Sequence, residues 1–404
     1  MTPAFIIVIC TLLLFAYVFD LTAAKTRIPS VILLLLLGWS VRQFTTVFNE
    51  FVPDLEDMLP FLGTLGLILI VLDGTLEIEL NSSKKSVIIK SVTVALLPIL
   101  ALGFLLSFAF RYYLPEISFR DAFTNAIPFC VISSAIAIPS ARYLSAHKRE
   151  FITYESSLSD IFGIIIFNFV ALNKLALSHN IGESVLLLLI MIVVSFAATV
   201  LLAFLLSKID HHIKFIPIIL SILLIYSVAI TYHLPALILI LIFGLFLGNL
   251  DEMKRFSWIR KLKPDLLNKE VARFKELIAE ATFLVRALFF LLFGFLIETK
   301  EIMNVNTFAW AVGIVLAIMI IRAIQFKISN IGMFPMLFIA PRGLINILLF
   351  LSIIPAQQIA LVNKSLLIQV VLIMALVMMT GLMITGNKRL PKTEKTNEAE
   401  STII

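Results

Sequence analysis

The sequence predicts an all-α polytopic membrane protein, and three observations carry that prediction. Of 404 residues, 60% are hydrophobic and 14% charged, more apolar surface than a water-soluble core of this size needs. The apolar residues fall into thirteen runs of about 16–28 residues, the length a roughly 30 Å hydrocarbon layer asks of a helix. Lysine and arginine collect in alternate connections between the runs, as the positive-inside rule expects. Lipid offers no water to unpaired backbone groups, so the runs can only be helices of a bundle.

The predicted spans are 3–24, 28–46, 58–79, 86–112, 121–147, 153–178, 183–207, 214–232, 235–250, 276–298, 304–328, 333–355 and 364–386. The first is too long, and too weakly basic at its front, for a secretory signal peptide, so it is expected to remain as a helix. Alternate connections carry Lys25/Arg27, Lys84/Lys85, Arg142/Lys148/Arg149, Lys208/Lys214, the cluster Lys254 to Lys275, Lys327, and Lys388 to Lys395. The others hold only Arg42, Arg111, Arg120, Lys174, Lys300 and Lys364. This asymmetry predicts an outside N-terminus and a cytoplasmic C-terminus, as an odd number of spans requires. The expected location is a plasma membrane of the bacterial inner-membrane type. The net charge of +6 follows from the same asymmetry and is no signal for nucleic acid.

Between spans nine and ten, residues 251–275 form the largest polar interruption, basic and containing Pro264. They predict a cytoplasmic linker with room for an amphipathic surface helix. The polar tail 387–404 is expected to be disordered. No appended nucleotide-binding domain is expected. Cys10 and Cys130 lie in separate apolar runs, and His147, His179, His211, His212 and His233 fall at span ends or in loops. Neither a disulfide framework nor a buried imidazole-ligated metal fits that distribution, and no cofactor is expected.

Two spans look interrupted. The fifth carries Pro128, Ser133-Ser134 and Pro139, and the twelfth carries Pro341-Arg342-Gly343 at mid-depth. Taken singly, each reads as a kink. Taken together, they occupy matching places if spans 1–6 and 8–13 are inverted six-helix repeats joined by span 7. Paired broken helices of this kind point to a transport site.

Within the sixth span stands Asp160, whose burial in lipid costs about 2.5–3.5 kcal/mol and so calls for a cavity, partner or ion path. Ser156 lies one turn back on the same helical face. A carboxylate holds a bare cation when ionised or a proton when neutral, but not both. Hard cations take oxygen ligands, and Ser156, Ser159 and groups freed near Ser133-Ser134 could supply them. The competing reading of Asp160 is a hydrogen-bonded structural carboxylate. Glu155 points roughly 140° away on an ideal helix, so the two acids should not act as a pair. Glu155 is expected to form a structural ion pair with Arg342, or else to snorkel to the cytoplasmic edge. Asp73, at the end of span 3, reads as a gate residue or as a headgroup-region charge. Arg322 is a candidate structural arginine, while Glu280 and Arg286 read as helix-end charges.

These residues resemble the monovalent cation–proton antiporter superfamily, the sodium–proton exchanger type. Glu155-Ser156-x-x-Ser159-Asp160 is similar to its Glu-Ser-x-x-Asn-Asp motif, and Leu72-Asp73-Gly74-Thr75-Leu76-Glu77 to its third-span Phe-Glu-Gly-Gly-Leu-Glu pattern. Pro341-Arg342-Gly343 resembles its Leu-Arg-Gly segment. Lys25-Thr26-Arg27-Ile28-Pro29 and Phe289-Phe290-Leu291-Leu292-Phe293-Gly294 resemble its second- and tenth-span segments. Two departures stand out. Ser159 replaces the motif's Asn, and Ser133-Ser134-Ala135-Ile136 replaces a Thr-Asp-Pro sequence and looks more like the potassium-efflux branch.

The resemblance implies a homodimer working by alternating access. Scaffold helices 1–3 would occupy 1–83, core helices 4–6 residues 84–180, and a linking helix 7 residues 181–208. Scaffold helices 8–10, with the linker 251–275, would occupy 209–300, core helices 11–13 residues 301–386, and the tail 387–404. Related electrogenic exchangers carry two adjacent Asp residues, and the neutral Ser159 here predicts one cation for one proton. The competing classes are a gated cation channel, for which the sequence shows no repeated filter, and an intramembrane protease using Asp73 and Asp160, for which the local residues lack a protease arrangement.

Overall fold

The computed structural model describes residues 3–26, 28–48, 55, 58–78, 80, 85–141, 144–172, 193–204, 215–231, 237–254 and 264–385. The tail 387–404, His179, His211, His212, His233 and most of the predicted linking span lie outside the described residues. Four helices follow the first four predicted runs: α1 (Pro3–Thr26), α2 (Ser30–Val47), α3 (Met58–Glu77) and α4 (Lys85–Tyr113). The fifth run is split between α5 (Phe119–Cys130) and α6 (Ser134–Ser140), and α7 (Ala146–Leu172) carries Asp160. Shorter apolar helices follow, α8 (Val193–Phe204), α9 (Phe215–Thr231) and α10 (Leu237–Gly248). The chain continues through α11 (Pro264–Phe295), α12 (Val305–Ile328), α13 (Leu344–Leu351) and α14 (Lys364–Thr385). Among the described residues, nine helical segments are long and apolar enough to cross a membrane, counting α5 and α6 as one.

Two sequence expectations need correction. Residues 264–275 are not part of a separate linker, because Pro264 opens α11, which continues without a break to Phe295. Proline suits the first helical position, where its missing N–H has no partner to lose. The twelfth run is not a helix broken at mid-depth. Its first half is a single 3-10 turn, Met336–Phe338, then an extended stretch through Gly343, and only Leu344–Leu351 is α-helical.

The helices pack in two groups. In one, α2 and α3 lie against α11, α3 also packs on α10, and α1 covers α2. Glycines set the spacing of the first contact. A Cβ on Gly38 would run into the Leu291 carbonyl, and one on Gly294 into the Leu35 carbonyl. Without a hydrophobic drive between helices in lipid, such close backbone approach is a main source of packing energy. In the other group, α4 packs on α5, α7 and α12, and α12 packs on α14. The groups meet where α3 touches α7 and α13. Large apolar side chains remain exposed on the outer faces, among them Ile7 and Leu14 of α1 and Leu220 and Leu224 of α9, as a lipid-facing surface requires.

Candidate cation site at the crossing of two unwound segments

The breaks that the prolines predict come together. Residues 131–133, between α5 and α6, are extended, and so is the stretch before α13. The two stretches join directly, the Ser133 amide donating to the Pro341 carbonyl at 2.9 Å. Gly343 makes the approach possible, since a Cβ there would lie 2.8 Å from Ser133 Oγ and 2.6 Å from Ile136 Cδ1.

Unwinding inside a membrane frees backbone groups that must be satisfied by protein. The amides of the first break find three different acceptors. Ile132 N–H donates to Ser159 Oγ at 2.9 Å, Ser133 N–H to Pro341, and Ser134 N–H to Asp160 Oδ2 at 3.1 Å. The carbonyls ending α5 are taken from the other segment. Arg342 Nε donates to Phe129 O at 2.8 Å and Nη2 to Cys130 O at 3.4 Å, while Nη1 donates to Ala340 O at 2.7 Å. Asn346 Nδ2 donates to Pro128 O and Val131 O, both at 2.7 Å, and its Oδ1 accepts from Gly343 N–H. Sequence reading missed Asn346. Its signal is an amide side chain three residues after the Gly343 break, in an otherwise apolar helix.

Asp160 is thus held by one oxygen. Its Oδ2 accepts from Ser134, whereas Oδ1 has no hydrogen-bond partner among the described residues, nor has Ser133 Oγ. Ser156 Oγ donates to the Ile152 carbonyl at 2.7 Å, leaving its lone pairs available. Asp160, Ser156, Ser159, Ser133 and Ser134 are all buried. The structure therefore brings together five of the six residues expected to bind ions. A buried carboxylate with an open oxygen, flanked on its helix by Ser156 and Ser159, bonded to the Ser134 amide and without an ion-pair partner among the described residues, offers oxygen donors of the kind a small hard cation takes.

Asp73 sits apart. It lines a cavity of about 410 Å³ with Asp20, Glu77, Glu280 and Arg286, and the cavity runs inward to Ser134 and Ala135. Its lining comes from the C-terminal halves of α1 and α3, from α6 and from the middle of α11. At its inner end, Arg286 Nη1 donates to the Ala135 carbonyl at 3.0 Å, and Nη2 lies 3.9 Å from Asp20. Pro139 accounts for the first contact: lacking an N–H, it cannot bond residue 135 within α6 and leaves that carbonyl open.

The expected Glu155–Arg342 ion pair is not formed. Glu155 is gripped by Arg322, both of whose terminal nitrogens reach the carboxylate, with Nη2–Oε2 at 3.0 Å. The reason is direction. Arg322 projects from α12 toward α7 and also donates to the carbonyls of Met336, Leu337 and Ile339. Arg342 lies in the extended stretch, and its guanidinium is spent on the open carbonyls of α5.

The family profile described as "Sodium/hydrogen exchanger, transmembrane" matches residues 9–386. The fold is similar to that of the sodium proton antiporter MjNhaP1 from Methanocaldococcus jannaschii at pH 8, with a TM-score of 0.69 and 19% identity over 95% of this chain and 98% of that one. A second structure of MjNhaP1, from an electron-microscopy map, gives a TM-score of 0.66 and 18% identity over 96% and 100%. Comparison with curated proteins finds no match.

Proposed function

Because this chain belongs to the transmembrane sodium/hydrogen exchanger family, a family of transporters rather than enzymes, we propose that it exchanges one monovalent cation for one proton at Asp160 by alternating access. Sodium is the favoured cation, with lithium and potassium as the alternatives to test. The observation that carries the reading is the buried Asp160 Oδ1, which has no hydrogen-bond partner among the described residues and lies beside the serines where the two unwound segments cross. Proton and cation compete for that oxygen. With a neutral serine at 159 in place of a second acid, each cycle moves one charge each way and the exchange is electroneutral.

The funnel lined by Asp73 supports a cation path to the site from one side. The charge asymmetry of the connections makes that side cytoplasmic, with the N-terminus outside, so the conformation is inward-facing. The two packing groups support a division into a scaffold of predicted spans 1–3 and 8–10 and a moving core of predicted spans 4–6 and 11–13. The break in the fifth run and the unwound stretch before α13 in the twelfth support two inverted repeats. Arg286 ties the scaffold helix α11 to the core carbonyl of Ala135, and that tie must break as the core moves. A homodimer joined through the scaffold completes the proposal.

Internal pH is followed in proteoliposomes while Na⁺, Li⁺ and K⁺ are added in turn, with Asp160→Asn in parallel. Proton movement driven by one or more cations, and lost in the folded variant, is the expected result. Retained coupled exchange in Asp160→Asn would refute the site. A cation flux without counter-moving protons would make the protein a channel, and potassium alone as the driving ion would place it with potassium-efflux transporters.

A further inference from the structure

The three serines of Glu155-Ser156-Ser157-Leu158-Ser159-Asp160 do different things. Ser156 bonds back to its own helix, and Ser159 holds the first break. Ser157 does neither. Its hydroxyl is buried and has no hydrogen-bond partner among the described residues. An unpaired buried hydroxyl is costly to keep, and a helical serine ordinarily avoids the cost by bonding the carbonyl one turn back.

Its position gives the hydroxyl something to do. Ser157 lies three residues before Asp160, on the same side of α7. It faces Gly74 of α3, where a Cβ would lie 3.3 Å from Ser157 Oγ. Gly74 follows Asp73, and both line the funnel. Ser134, whose amide bonds Asp160, lines it too. Two residues of the funnel lining thus touch α7 directly, Gly74 against Ser157 and Ser134 against Asp160.

We propose that Ser157 is a cation ligand on the step between Asp73 and Asp160, supplying the oxygen that replaces lost water as a monovalent cation leaves the funnel. This rests on the exchange reading above and adds a residue that sets cation affinity and selectivity. Ser157 stands on α7 and Asp73 on α3, so the hydroxyl sits where the two packing groups meet. A ligand there is available when the funnel abuts the core and is lost when the core moves.

The test uses the full-length protein. Ser157→Ala is assayed in proteoliposomes beside the parent and Asp160→Asn, with Na⁺, Li⁺ and K⁺ titrated at fixed pH. Thermal stability is measured in detergent with and without each cation. The expected Ser157→Ala protein is at least as stable as the parent without cation, because an unpaired polar group has been removed. It retains exchange, but its cation KM rises about tenfold, the scale of one contact to a charged group, and cations stabilise it less. The order of preference among the three cations changes, while maximal rate and its pH profile stay near the parent's. Ser157→Thr, which keeps the oxygen, restores much of the affinity. Unchanged KM and cation stabilisation in Ser157→Ala would overturn the proposal. A variant less stable without cation, with KM unaltered, would make Ser157 a packing residue and overturn it equally. An inactive parent would instead tell against the exchange reading, while cation stabilisation lost in Ser157→Ala would still identify the ligand.

Discussion

Glu155 and Arg322 are 1% and 3% exposed, and that burial sets the size of the effect expected when either is replaced. An exposed pair would contribute about 0–1 kcal/mol. Breaking a buried pair from one side leaves a lone charge and costs about 3–5 kcal/mol. Arg322→Met does more than unpair Glu155, because the carbonyls of Met336, Leu337 and Ile339 lose a donor as well. Each carbonyl left without a partner adds up to about 1–3 kcal/mol. Glu155→Gln leaves Arg322 those three carbonyls, so it should be the milder change, near 3 kcal/mol. The double variant Glu155→Gln/Arg322→Met removes both charges and should cost less than the sum, with a coupling of about 2–3 kcal/mol. Unfolding of the purified protein in mixed micelles, followed by tryptophan fluorescence, measures all four corners of the cycle. A parallel cycle of Glu155 with Arg342 should give a clearly smaller coupling, since the Arg342 guanidinium is spent on carbonyls. Equal coupling in the two cycles, or single variants as stable as the parent, would refute the assignment.

Other expectations follow from the crossing and its surroundings. Gly343→Ala should lower stability by about 1–3 kcal/mol and abolish exchange by pushing Ser133 and Ile136 off the second segment, as thermal unfolding and the proteoliposome assay would show. Asn346→Leu should match or exceed that loss, because the Pro128 and Val131 carbonyls and the Gly343 amide all lose a partner; a stable, active Asn346→Leu protein would contradict the backbone accounting. Gly38→Val should separate α2 from α11 and lower the thermal midpoint without altering the cation KM of the surviving protein. Arg286→Gln removes the tie to the Ala135 carbonyl and should raise the turnover rate while lowering stability; no change in either would make the contact incidental to the cycle.

The membrane class and, among the described residues, nine of the thirteen spans were legible because each depends on one local property, the length of an apolar run against the thickness of lipid. The first break was legible for a similar reason. Pro128 and Pro139 remove amide donors wherever the chain folds, and the carbonyl that Pro139 leaves open is the one Arg286 takes. Asp160 could be singled out because a carboxylate within an apolar helix needs an explanation in any fold. The choice between Arg322 and Arg342 as partner of Glu155 was not legible. Both arginines lie in the membrane and either charge would serve, and only the projection of α12 against α7, with the extended backbone around residue 342, decided it. The roles of three serines within four residues were equally hidden. Helical spacing places them on the face of α7, but whether a hydroxyl meets its own helix, an open amide or nothing depends on what lies opposite. Tertiary packing set the Ile132 amide against Ser159 and the bare backbone of Gly74 against Ser157. An apolar pattern specifies which face is buried, and the unpaired polar groups of the neighbouring segment decide what each buried oxygen does.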